Sequence, residues 1–247
     1  MSAAEEEVNL GIRPAEERDP ATLRRAAIIT ASCAIAHGVL LIVAFYLLKT
    51  RAPFGGASDE QIRNFYADPN NRRLVLVAGI YLVPFSAIAF VWFIVALRMW
   101  EANSVKRMNQ LFANIQLVTG IIYVTLLLCA GAALSVVATG LEFTDAALDP
   151  AYARQFPQFG ATLFLTLSMR MAATFVFATS NLLRREGILP RWFLTIGIVV
   201  GLLLLLSASI SSWLVIVFPT WLVVLGLILL DRARKLVFQP QPTVGSR

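Results

Sequence analysis

The chain has 247 residues, 58% of them hydrophobic and 15% charged, with a net charge of +6 and a mean hydropathy of +0.72. A soluble domain carries about 25% charged residues, so the shortage of charge excludes an ordinary globular domain and points to a multi-pass membrane protein. The basic residues flank the apolar runs instead of forming one patch. That is the pattern of topology signals, and it argues against a nucleic-acid partner.

Residues 1–25, MSAAEEEVNLGIRPAEERDPATLRR, are polar and read as a disordered cytoplasmic tail. The transmembrane domain follows over 26–230, with spans expected at 26–48, 74–97, 111–138, 159–183, 192–209 and 213–230. The last two come from one apolar run, Trp192 to Leu230, nearly twice the roughly 20 residues a crossing needs. The run is divided at SASISSW, its most polar stretch. Residues 231–247 form a basic cytoplasmic tail.

Orientation follows from lysine and arginine. With the N-terminus inside, only Lys49, Arg51, Arg63, Arg72, Arg73 and Arg154 fall outside, and Arg170 alone lies within a span. All other basic residues are inside, so both termini are expected in the cytoplasm. The expected fold is an all-α membrane protein, a six-transmembrane-helix bundle with N- and C-termini cytoplasmic.

The loops carry local signals. In SDEQIRNFYADP, Ser58 and Gln61 form a capping box and Pro69 is expected to end the helix. Ile62, Phe65 and Tyr66 share one face, suited to the membrane interface or the bundle mouth. The second outer loop holds Glu142, Asp145 and Asp149. In LLRREGILPRW, Gly187 fits a helix end and Pro190 the first turn of the next helix.

Inside the spans the polar residues are few. At 100° per residue, Thr162, Thr166, Arg170, Thr174, Ser180 and Asn181 occupy roughly a third of the circumference of their helix. Such a stripe is expected to face the bundle interior or a wet cavity. His37, Gln116 and Tyr123 are the candidates to share that polar layer, and the prolines Pro84 and Pro219 each free a backbone carbonyl for the guanidinium. No span interior contains Asp or Glu. The counter-charge of Arg170 must therefore come from carbonyls and water, a loop acid, a partner subunit or second copy, or an anionic ligand. Cys33 and Cys129 lie in apolar runs and read as small buried hydrophobes, neither disulfide nor metal ligands.

Catalytic signatures are lacking. One histidine excludes bis-histidine haem and a His-based metal site. No serine elbow accompanies it, no in-span acids provide aspartyl chemistry, and no glycine-rich phosphate loop appears. No cofactor is expected.

The segments YLVPFSAIAFVWFIVALR, RMAATFVFATSNLLRREGILPRWFLTIG and VFPTWLVVLGLILL resemble a family of uncharacterised bacterial multi-pass membrane proteins of actinobacterial type. The resemblance covers roughly residues 74–230. It implies the six-span arrangement and a location in the inner (plasma) membrane of a bacterium, makes Arg170 part of a recurring pattern, and carries no known activity. The leading functional expectation is a non-enzymatic transporter or accessory subunit. Its ligand would be an anionic lipid or small molecule, bound through Arg170, Thr166, Thr174, His37, Tyr123 and Gln116. The alternative is an enzyme acting on lipid at the outer face with Glu142, Asp145 and Asp149.

Overall fold

The computed structural model describes residues 20–53, 56–101, 107–144, 146–185 and 189–235. Residues 1–19 of the N-terminal tail, residues 236–247 of the C-terminal tail, Asp145 and Gly187 lie outside the described residues. Among those described, every regular element is helical: α1 (Pro20–Arg51), α2 (Asp59–Ala67), α3 (Pro69–Leu76), α4 (Val83–Glu101), α5 (Arg107–Phe143), α6 (Pro150–Thr162), α7 (Met169–Arg185), α8 (Arg191–Ile210) and α9 (Val217–Lys235). Two π segments, Val77–Leu82 and Leu163–Ser168, join α3 to α4 and α6 to α7, and a 3-10 turn, Ser212–Ile216, leads into α9.

Among the described residues, five helical stretches are long and apolar enough to cross a membrane: Arg24–Arg51, Pro69–Arg98, Gln110–Phe143, Pro150–Arg184 and Ser212–Arg234. A shorter apolar helix, Trp192–Leu206, lies between the last two. The run from Trp192 to Leu230 does divide where its polar residues gather. Ser211 adopts an extended conformation (φ −164, ψ 137), and its hydroxyl accepts from the backbone N–H of Trp213 to start the 3-10 turn.

The surface supports a lipid environment. Phe85, Ile88, Trp92, Val95, Ile121 and Leu202 are all more than half exposed. Water would penalise such a girdle, whereas acyl chains accommodate it.

Small residues set the packing. A Cβ on Gly38 of α1 would lie 2.6 Å from the carbonyl oxygen of Pro219 in α9, and Gly226 of α9 abuts Ala31 and Ile35. The two helices therefore run antiparallel in close contact, as small residues permit between apolar helices. The start of α1 and the end of α9 consequently lie at one end of the bundle. Gly79 and Gly131 meet in the same way between the α3–α4 and α5 passages, and α7 and α8 are antiparallel through Ser180–Gly197 and Phe177–Gly201.

The opposite end is capped by α2 and α3. Ser58 accepts from the Gln61 backbone while Gln61 Oε1 accepts from the Ser58 N–H. Pro69 does not simply end this helix. Asp68 closes α2 and caps α3, accepting from the Asn70 N–H at 2.8 Å, and Pro69 is the first residue of α3. Ile62 and Tyr66 are buried and Phe65 partly so. The helix thus seals the bundle mouth over Leu48, Val75, Leu134 and Ala138.

The prolines act locally. Pro84 has no N–H to offer Ile80, and the preceding turns widen to i→i−5 spacing, with the Val83 N–H on the Ala78 carbonyl. Pro219 sits in the first turn of α9, just after the 3-10 turn, where a missing N–H costs nothing. The cysteines also differ from expectation: Cys33 is half-buried and Cys129 exposed on the apolar surface, both as free thiols.

Candidate functional site

Among the described residues, two polar regions of the apolar helices are built in different ways. The first centres on His37, which is fully buried. Its Nδ1 lies 2.9 Å from the Ser86 carbonyl oxygen and 2.8 Å from the Ser86 hydroxyl. A carbonyl only accepts, so Nδ1 carries the hydrogen. Nε2 then presents its lone pair to the Tyr123 phenol, which donates at 3.2 Å. The Ser86 hydroxyl donates back to the His37 carbonyl at 3.1 Å. α1, α4 and α5 are thereby tied by one closed set of bonds.

Aromatic rings wall this set off. Phe90, Tyr123 and Phe218 have ring centroids 4.7, 5.8 and 6.1 Å from the imidazole, and Phe175 packs 5.1 Å from Phe90. His37, Tyr123 and Phe90 are all sealed from solvent. Gln116, the third residue expected to share the polar layer, donates from its amide to the Thr179 hydroxyl at 2.9 Å and is also buried.

The second region is the Arg170 face. Here the expected inward stripe is corrected. Thr162 is exposed, and Thr166, Arg170, Thr174 and Asn181 are only half-buried; Ser180 alone of the six is buried. The face of α7 that packs into the core is the other one, with Met169, Ala172, Phe175, Val176, Thr179 and Leu183. The physical reason is the π segment Leu163–Ser168. It departs from 100° per residue, so Thr162 and Thr166 lose the projected alignment with residues beyond Met169. Ser168 and Thr179, which a regular 100° projection places away from the Arg170 stripe, are buried.

Arg170 donates from its guanidinium to the Thr166 carbonyl at 3.1 Å, and Thr174 returns a hydroxyl to the Arg170 carbonyl at 3.1 Å. These bonds stay within one helical passage. The carbonyls expected to be freed by Pro84 and Pro219 do not receive the guanidinium. Among the described residues Arg170 forms no ion pair. The polar layer thus separates into an internal node, His37–Ser86–Tyr123, and an outer strip, Thr166–Arg170–Thr174.

No protein-family model, curated protein or solved structure matches the chain. Function must therefore be argued from these two regions and the loops.

The described loop acids are engaged structurally. Glu142 accepts from Arg72 Nε at 3.1 Å, and Arg72 also donates to the Tyr66 carbonyl at 2.8 Å, pinning α2 to α5. Asp149 caps α6 by accepting from the Ala151 N–H at 2.8 Å. Arg154 pairs with Asp59, joining α6 to α2. Glu142 and Asp149 are exposed at the capped end, whereas His37 is buried in mid-bundle.

Ser86 is the functional-group residue that sequence reasoning overlooked. A signal existed: it lies two residues beyond Pro84 near the middle of its span, as His37 does of its own.

Proposed function

We propose that the chain is a non-enzymatic, bacterial inner-membrane protein that binds an anion, a lipid phosphate or a free one, at the strip Thr166–Arg170–Thr174, acting as a transporter or accessory subunit. The observation that carries this reading is the state of Arg170. It is a permanent charge on a membrane-spanning helix, half-buried, bonded only to a carbonyl of its own helix, and in no ion pair among the described residues. An uncompensated arginine at such a depth costs about 2.5–3.5 kcal/mol on insertion scales. A bound anion offsets that cost with charge-assisted bonds.

Six crossings with both ends cytoplasmic belong to this reading. They are supported by the antiparallel pairing of α1 with α9 and by the lysine and arginine bias of the loops. His37, Tyr123 and Gln116 have no place in the anion site, because they already bond to Ser86, to each other and to Thr179. The enzyme reading has no comparable support, since Glu142 and Asp149 are engaged by Arg72 and by a helix N-terminus.

The test compares wild type with Arg170→Gln in neutral detergent, with phosphatidylglycerol or phosphatidylcholine added. Wild type should retain the anionic lipid in native mass spectrometry and gain thermal stability from it, and Arg170→Gln should lose both while remaining folded. Equal retention of the two lipids by wild type, or an unchanged response in the variant, would refute the proposal.

A further inference from the structure

We infer that the crevice between α1, α5 and α6 at the capped end is a second site, for a single-chain amphiphile with an anionic head. It shares no residue with the Arg170 strip. Its volume is about 240 Å³, and its walls are Phe45, Leu48, Leu134 and Phe164, all buried, with Lys49 and Gln158 exposed at the rim.

Three observations point to that ligand class. The first is polarity ordered along the cavity. Lys49 lies one turn beyond Phe45 towards the capped end, and Gln158 precedes Phe164 from the same end. An ammonium and an amide therefore sit at the mouth and the apolar walls lie deeper, which matches a charged head followed by a hydrocarbon chain. The second is charge. Lys49 is in no ion pair among the described residues, so its positive charge faces the opening uncompensated within the chain. The third is size and depth. Pockets that enclose a drug-sized ligand run from about 300 to 1,000 Å³, so this one admits part of a single acyl chain and not a two-tailed lipid. Behind the same walls the packing stays apolar, with Leu41, Leu127 and Ala130 around a void of about 10 Å³ that is too small to hold a ligand.

A lysine at a helix end can also reach the interface merely to keep its charge in water. The experiment separates that case. Full-length protein in neutral detergent is melted with oleate, with methyl oleate, and with inorganic phosphate alone. Oleate should raise the midpoint by about 3 °C over methyl oleate, the scale of tenfold saturation for a chain this long. Lys49→Gln, an exposed position that leaves the fold intact, should abolish the difference, and Lys49→Arg should preserve it. Ala161→Phe, which fills the crevice wall, should lose the oleate response, and Arg170→Gln should keep it. Equal shifts with ester and acid, or an undiminished difference in Lys49→Gln, overturn the inference. So does inorganic phosphate reproducing the shift, since the chain then contributes nothing. Loss in Arg170→Gln but not in Lys49→Gln places the anion at Arg170, and the crevice assignment falls while the Arg170 proposal stands.

Discussion

The node at His37 and the strip at Arg170 both put polar groups into the membrane-spanning part of the chain, and they treat them in opposite ways. At His37 each ring nitrogen has a partner on another helix, and a shell of phenyl rings excludes everything else. At Arg170 the bonds stay within the helix and the side chain is half open to its surroundings. Closed polar networks specify how helices meet, because breaking one leaves buried groups unsatisfied. An open cation has binding capacity left over. Position in a span therefore does not distinguish structural from ligand-directed polarity; the partner of each polar atom does.

The largest effect should come from the closed node. His37→Leu leaves the Tyr123 hydroxyl without its acceptor in a sealed core, a loss of about 1–3 kcal/mol. It should lower the melting midpoint in neutral detergent by roughly 5 °C. A midpoint no lower than that of Arg170→Gln would erase the distinction between the two regions. Adding Tyr123→Phe to His37→Leu removes the orphaned hydroxyl, so the double variant should melt above the single one. If the double variant instead falls by the sum of both changes, the pair is not coupled.

A smaller, local effect is expected at the cap. Burial pushes the Tyr66 phenol from its ordinary value near 10 up to about 12. The folded state thus disfavours the phenolate, so this contribution to seating α2 is intact below pH 10 and is lost as pH rises through about 12. Proteolysis or hydrogen exchange over 59–67 should increase across that window in wild type, and Tyr66→Phe should flatten the rise. The two in-span regions should be unaffected, which makes the cap a control for both. The smallest effect is at the strip. Arg170→Gln without ligand should lower stability by no more than about 0.5 kcal/mol, since it removes one bond within a helix on a half-open face. A loss comparable to that of His37→Leu would mean that Arg170 is part of the scaffold.

Local chemistry was legible in the sequence wherever the cause is local. The Ser58–Gln61 capping box formed as expected, because a cap is decided by residues three apart. The apolar run after Trp192 broke among its serines, where Ser211 competes for backbone bonds. That helices long and apolar enough to cross a membrane would form followed from the length of apolar sequence, a property of the bilayer and not of packing. Pro69 misled because a proline that ends one helix also suits the first turn of the next, and Asp68 serves both.

What the tertiary structure alone decided is which side of each helix is inside. A regular 100° projection turned Arg170 inward with Thr162 and Thr166, but the π segment Leu163–Ser168 changes the angular register between them, and packing buried the face carrying Ser168 and Thr179 instead. The pairing of His37 with Ser86 is likewise invisible from spacing, since the two lie on α1 and α4, which pack against each other only in the folded bundle. Hydrophobic length and capping are one-dimensional and reside in the chain. Facing and partnership depend on how the helices fit around a common core, and that is settled only when they pack.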